Sequence, residues 1–129
     1  MQHRPTADEL LAAVETFLRE DVMPNIGGAR SFHARVAANA LAIVRRELTH
    51  EEAHLTAEWD GLAALLGPAK RPESNEAVGT MLAARTAELC DRIRRGDAED
   101  SEFRRLVFQH LRMSIRNNLL VSNPRWIGE

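Results

Sequence analysis

The chain has 129 residues, with 17 Lys and Arg against 19 Asp and Glu, which gives a formal net charge of −2 at pH 7. This charge provides no general attraction to nucleic-acid phosphates, and the single cysteine, Cys90, excludes an internal disulfide. One domain is expected at this length. An all-α fold is expected, because tyrosine is absent and alanine, leucine, glutamate and arginine dominate.

Helical periodicity along the chain predicts five helices, near residues 7–23, 29–48, 50–66, 75–95 and 101–122. The sequence Thr6-Ala7-Asp8-Glu9 has the pattern of a capping box at the start of the first helix, and Pro24 is expected to end that helix. A second pattern of this kind, Thr49-His50-Glu51-Glu52, predicts the start of the third helix. Because the connections are short, the helices are expected to pack as a single, mostly antiparallel bundle over residues 1–129.

The second predicted helix carries the most informative pattern, an alanine-rich apolar arc bordered by polar residues. At about 100° per residue, His33 falls near the middle of this arc, and Arg35, Asn39 and Arg46 fall on one flank. We expect the arc to be the packing surface of the helix and His33 to point inward. The arc is formed by Val36, Ala37, Ala40, Leu41, Val44 and Leu48.

Polar residues also interrupt the inward faces of the later helices, at Arg85 in the fourth and at His110, Ser114 and Asn117 in the fifth. Leaving such groups buried without a partner costs about 1–3 kcal/mol each. Two interpretations remain open. The polar groups either hold the helices together with ordered water, or they form a small-ligand site. The candidate ligand-binding residues are His33, Arg35, Asn39, His110, Ser114 and Asn117, with Arg35 expected to bind an anion.

No pattern in the sequence predicts a catalytic centre, a metal site or a cofactor. The segment His50-Glu51-Glu52-Ala53-His54 matches the zinc-protease motif, but it is interpreted as a solvated helix start. Cys90 has no identifiable partner base and is interpreted as a structural or exposed thiol. Nucleic acid is not expected as a partner, no segment is apolar enough to span a membrane, and a cytoplasmic location is expected.

Three segments resemble a small bacterial family of unknown function: Arg4-Pro5-Thr6-Ala7 with Glu9-Leu10-Leu11, Phe32-His33 through Leu48, and Asn123-Pro124. Members of that family are often encoded beside aminoglycoside-phosphotransferase-like kinases and acyl-CoA dehydrogenases. The resemblance implies a role near the phosphorylation or oxidation of a small substrate. It transfers no catalytic residues.

The sequence therefore favours a non-catalytic accessory or interaction protein that works with such a kinase or dehydrogenase. The alternative is a small-ligand-binding bundle with a polar pocket between helices. Enzymatic activity is the least favoured hypothesis, and a homodimer stays open because an alanine-rich helix can pack within one chain or across two.

Overall fold

The computed structural model of the chain describes residues 3–128, and this range contains four α-helices and no β-strand. The all-α class is thus confirmed, whereas the number of helices is four instead of about five. The prediction of a single antiparallel bundle stays a prediction. The helices are α1 (Ala7–Phe17), α2 (Gly28–Leu66), α3 (Asn75–Arg94) and α4 (Ser101–Ser122).

The predicted helices 29–48 and 50–66 are one continuous helix of 39 residues, α2. The expected capping box at Thr49 is therefore wrong. The Thr49 hydroxyl donates a hydrogen bond to the backbone carbonyl of Arg45, one turn earlier, at 2.9 Å. This is how a threonine inside a helix satisfies its side chain. No glycine or proline lies near Thr49 to break the helix.

The start of the first helix is confirmed, but its end is not. Thr6 and Glu9 form the reciprocal capping box, in which the Glu9 amide donates to the Thr6 hydroxyl and the Thr6 amide donates to the Glu9 carboxylate. The α-helix ends at Phe17 and continues as a π-helical turn, Leu18–Val22, and a short 3₁₀ turn, Met23–Asn25, which contains Pro24.

The chain divides into two compact units. Unit 1 comprises residues 3–50 and 121–128, and unit 2 comprises residues 51–120. In unit 1 the buried apolar residues are small, Ala34 and Ala38. Unit 2 holds the larger apolar core, which is formed by Trp59, Leu62, Leu65, Val78, Leu82, Leu89 and Val107.

Arg85, which the sequence placed on the inward face of its helix, caps the end of α2. Its guanidinium donates to the carbonyl of Leu62 at 3.4 Å and to the carbonyl of Gly67. It also lies over the Trp59 ring at 5.8 Å from the ring centroid. The last carbonyls of a helix lack intrahelical partners and carry partial negative charge, so this half-buried arginine has a structural role there.

Arg92, two turns after Arg85 on α3, binds the same helix end. It donates to the carbonyl of Leu65 and to the carboxylate of Asp97, both at 2.9 Å. Its guanidinium stacks over Phe103 at 4.5 Å from the ring centroid. Two arginines of α3 thus satisfy the C-terminal end of α2 inside unit 2.

Gly61 and His110 approach each other closely within unit 2. A Cβ atom at position 61 would lie 2.2 Å from Nδ1 and 3.0 Å from Cε1 of the His110 ring. Because a carbon atom cannot occupy that space, the absence of a side chain at Gly61 is what allows the imidazole to lie against α2.

We predict that Gly61→Ala destabilises the protein by about 1–3 kcal/mol, the usual cost of overpacking. Gly79 of α3 is the matched control, because a Cβ atom there meets nothing within 4 Å. Gly79→Ala should stabilise by about 0.5–1 kcal/mol. Urea unfolding followed by circular dichroism measures both changes.

The same measurement on a His110→Ala background tests the cause of the Gly61→Ala effect. Removal of the imidazole should abolish the penalty of Gly61→Ala. An equal penalty with and without His110 would contradict the steric explanation.

Candidate functional site

The six residues predicted to bind a ligand are divided between the two units. His33, Arg35 and Asn39 belong to unit 1, whereas His110, Ser114 and Asn117 belong to unit 2. Each group is described within its own unit, and the convergence of all six on one pocket stays a prediction.

The inward placement of His33 is wrong, because its side chain is exposed. Its ring makes an edge-to-face contact with the neighbouring Phe32, with 5.8 Å between ring centroids. The residues that α2 buries in unit 1 are Ala34 and Ala38. They lie on another side of the helix at about 100° per residue, so the predicted arc from Val36 to Leu48 faces mainly outward.

His110 is buried in unit 2, as the sequence predicts, with 7% of its surface exposed. Its Nε2 atom lies 3.5 Å from a carboxylate oxygen of Glu58, and its Nδ1 atom, against Gly61, has no hydrogen-bond partner in the described part of the chain. Ser114 is half-buried, as is Asn117, whose amide donates to the sulfur of Met113 at 3.2 Å.

A polar concavity with a volume of about 570 Å³ lies within unit 1. It is bordered by α1, by the turn that follows α1, by the first half of α2 and by the C-terminal segment. Of the residues in the range 3–128, three arginines and one carboxylate line it. We call it the arginine-lined cavity, and it is formed by Glu15, Arg19, Asn39, Ala42, Ile43, Arg46, Ser122, Asn123, Pro124 and Arg125.

A chain of ion pairs holds one wall of this cavity. Arg19 donates from Nε to the Glu15 carboxylate and from Nη2 to the Asn39 side-chain oxygen, each at 3.0 Å. Arg45 donates to the other Glu15 oxygen at 3.0 Å and to Asp8 at 2.8 Å. The four charged groups and Asn39 thus join α1 to α2 through one continuous network.

This network changes the acidity of its members. Burial alone would raise the pKa of Glu15, but the hydrogen bonds from Arg19 and Arg45 outweigh it, so the pKa of Glu15 lies below its ordinary value of 4.5. The hydrogen bond from Arg45 lowers the pKa of Asp8 in the same way. At neutral pH both carboxylates are ionised and neutralised by arginine.

The other wall of the cavity carries positive charge without a carboxylate partner. Arg46 donates from Nε to the backbone carbonyl of Val121 at 2.7 Å, which leaves its two terminal nitrogens to other partners. Arg125 forms no ion pair with any residue in the range 3–128. Guanidinium groups that lack a carboxylate partner can bind carboxylates and phosphates through paired hydrogen bonds.

Among the described residues, no three His, Cys, Asp or Glu side chains come together in a way that could hold a metal ion. The zinc-motif residues His50 and His54 lie within α2, well past its start at Gly28. None of the helices in residues 3–128 is both long enough and apolar enough to cross a membrane.

The fold and the cavity define an all-helical protein with a cationic concavity. The chain belongs to the family described as a domain of unknown function (DUF6285), which matches residues 24–126. The expectation of a family without an assigned function is thereby confirmed. No curated protein and no solved structure matches the chain.

Sequence reasoning found part of this cavity and missed the rest. Asn39 and Arg46, two turns apart on the polar flank of the second predicted helix, both line it, whereas Arg35 does not. Arg19 and Arg125 were not anticipated, because their approach to α2 depends on the path of distant segments. The spacing of Asn39 and Arg46 on one predicted helix is the only sequence pattern that indicated residues of this cavity.

We predict that Arg45→Gln makes the stability of the protein less dependent on pH in the acid range. A carboxylate whose pKa is lower in the folded state contributes stability above its unfolded pKa, and this contribution is lost as pH falls through the folded value. For Glu15 the loss therefore begins near pH 4.5 and continues below it.

Free energies of unfolding, measured from about pH 7 to about pH 3, test this expectation. The gap between wild type and Arg45→Gln should be largest at neutral pH and should shrink as the pH falls. Arg112→Gln is the control, because Arg112 has no carboxylate partner in residues 3–128. A gap that stays constant with pH would contradict the role of these ion pairs.

Proposed function

We propose that this protein is a non-catalytic accessory protein that binds a small anionic molecule in the arginine-lined cavity. The observation that carries the proposal is the set of three arginines around one concavity, of which Arg125 has no ion-pair partner in the described chain. Because Glu15, the only carboxylate among the described residues that line the cavity, is already paired with two arginines, an incoming anion meets net positive charge.

Phosphate esters are the ligand class that this chemistry favours. A guanidinium presents a planar fork of donors that matches phosphate oxygens, and each hydrogen bond to a charged group contributes about 1.5–3 kcal/mol. Asn39 adds a neutral polar group to the wall, and its amide nitrogen can donate to a hydroxyl or carbonyl of the same ligand.

The enzyme partner that we propose is a phosphotransferase-like small-molecule kinase or an acyl-CoA dehydrogenase of a bacterial cytoplasm. A kinase of this kind produces a phosphate ester, and coenzyme A thioesters also carry phosphates, so both would bring an anion that the cavity can accept. The exposed free thiol of Cys90 fits a reducing compartment. No residue is assigned a catalytic role.

We predict that a phosphorylated ligand raises the thermal stability of the protein, and that Arg125→Gln weakens its binding at least about tenfold. Thermal shift identifies the ligand class, with inorganic phosphate, sugar phosphates, nucleotides and acyl-CoAs as probes and an unphosphorylated sugar as the neutral comparison. Isothermal titration then gives Kd. A ligand at about 100 times its Kd adds about 2.7 kcal/mol of stability.

The control is Arg35→Gln, which removes an exposed arginine of α2 that lies outside the cavity. The Kd of Arg35→Gln for the phosphorylated ligand should match that of the wild type. Added salt should weaken the binding of this ligand to the wild type. If Arg35→Gln lost affinity while Arg125→Gln kept it, the site would lie on the helix edge instead. The proposal would be contradicted if none of the anions raised the thermal stability of the protein.

We predict that the protein co-purifies with the product of a neighbouring kinase or dehydrogenase gene when the two are expressed together. The readout is the stoichiometry of the complex by size-exclusion chromatography with light scattering. Failure with every neighbouring candidate would contradict the accessory role and would leave ligand binding to be judged by the titration.

A further inference from the structure

One face of α2 in unit 1 is apolar and exposed over its whole length. Phe32 and Val36 are 58% and 49% exposed, and Val44 and Leu48 are exposed to a similar degree. With Ala40 between them, these residues follow one another every four positions and form a ridge that runs obliquely around the helix, which we call the α2 apolar face. Soluble monomers rarely leave a contiguous apolar surface of this kind uncovered.

Polar side chains lie at both ends of this side of α2. Arg30 and His33 lie near the first end and Glu47 lies near the second, and all three side chains are exposed. Neither Arg30 nor Glu47 forms an ion pair with another residue of the range 3–128.

The pattern is symmetric about Ala40. Val36 and Val44 each lie four residues from it, and His33 and Glu47 each lie seven residues from it. At about 1.5 Å per residue, His33 and Glu47 are each about 10 Å from Ala40 along the helix axis. A two-fold axis through Ala40 would therefore bring His33 of one copy opposite Glu47 of the other, an N–H donor against a carboxylate acceptor.

We propose that the α2 apolar face is a homodimer interface in which two copies of α2 cross antiparallel with Ala40 at the two-fold axis. A two-fold interface must be complementary to itself, and this face meets that requirement in its apolar residues and in the donor and acceptor that His33 and Glu47 provide. His33 of each copy faces Glu47 of the other. The small side chain of Ala40 lets the two helix axes come within the usual packing distance of about 8–10 Å.

The exposed apolar face of α4 does not have this complementarity. Its residue Phe108 lies beside Arg105 and Arg112, and only Arg105 is paired with a carboxylate of the range 3–128, that of Glu102, so two copies placed face to face would bring the Arg112 guanidiniums together. Such like-charge contacts are unfavourable at an interface. Of these two faces, self-association therefore favours that of α2. The proposed dimer does not depend on a bound ligand. If the dimer were disproved, the proposal that the arginine-lined cavity binds an anion would still stand.

Sedimentation velocity over a range of protein concentrations tests the dimer with the full chain. The wild type should shift from monomer to dimer, and Ala40→Arg should raise the dimer dissociation constant at least about 100-fold, because it places two like charges at the axis. Ala53→Arg is the matched control, since it adds the same charge at another exposed alanine of α2 and should leave the dimer intact.

A charge-exchange experiment tests the antiparallel register. His33→Glu and Glu47→Arg should each weaken the homodimer, because the first places two carboxylates opposite one another and the second replaces the carboxylate that accepts a hydrogen bond from the imidazole. An equimolar mixture of the two variants should form a heterodimer. In that heterodimer the introduced glutamate faces the introduced arginine, and the unchanged His33 of one copy faces the unchanged Glu47 of the other. Native mass spectrometry distinguishes the heterodimer by mass.

Circular dichroism on each variant confirms that the helices are retained. Three results would overturn the proposal. They are a wild type that stays monomeric at every concentration, a dimer that tolerates Ala40→Arg, and a mixture of the two charge variants that forms no heterodimer.

Discussion

The uninterrupted backbone hydrogen bonding of α2 through Thr49 determines which side chains of this helix are buried. In unit 1 the helix buries Ala34 and Ala38 and leaves Val36, Val44 and Leu48 exposed. Within unit 1, the buried alanines and the exposed larger apolar residues lie on one helix, so burial of the alanine side leaves part of the apolar surface of α2 exposed.

Arginine side chains link helices in both units of this protein. In unit 2, Arg85 and Arg92 bind the carbonyls that end α2 while their guanidiniums lie on aromatic rings. In unit 1, Arg45 joins Asp8 and Glu15 across two helices. Guanidinium suits both positions because it offers several donors in one plane and is weakly hydrated. The positive charge of these arginines is therefore structural in unit 2, whereas in unit 1 part of the arginine charge is available to a ligand.

The elements that could be predicted from the sequence are those fixed by local chemistry. The Thr6 capping box depends on a few neighbouring residues and is confirmed, whereas the same local pattern at Thr49 lies inside a continuous helix and caps nothing. The buried face of α2 could not be predicted in this way, because alanine is compatible with burial and with exposure. The arginine-lined cavity was found only where Asn39 and Arg46 share one helix, since Arg19 and Arg125 reach it from distant parts of the chain.

The arginines of the cavity differ in how much freedom they would lose on binding an anion. Glu15 and Asn39 already hold Arg19, and the carbonyl of Val121 holds Arg46. The conformational entropy of the Arg19 and Arg46 side chains is already reduced in the free protein, which favours a higher affinity for an anion. Arg125 lies in a short 3₁₀ turn and is exposed, so it must be ordered by the ligand itself. Substitution of Arg125 therefore tests anion binding with the least disturbance of the fold. Substitution of Arg19 or Arg46 would change both the structure and the affinity.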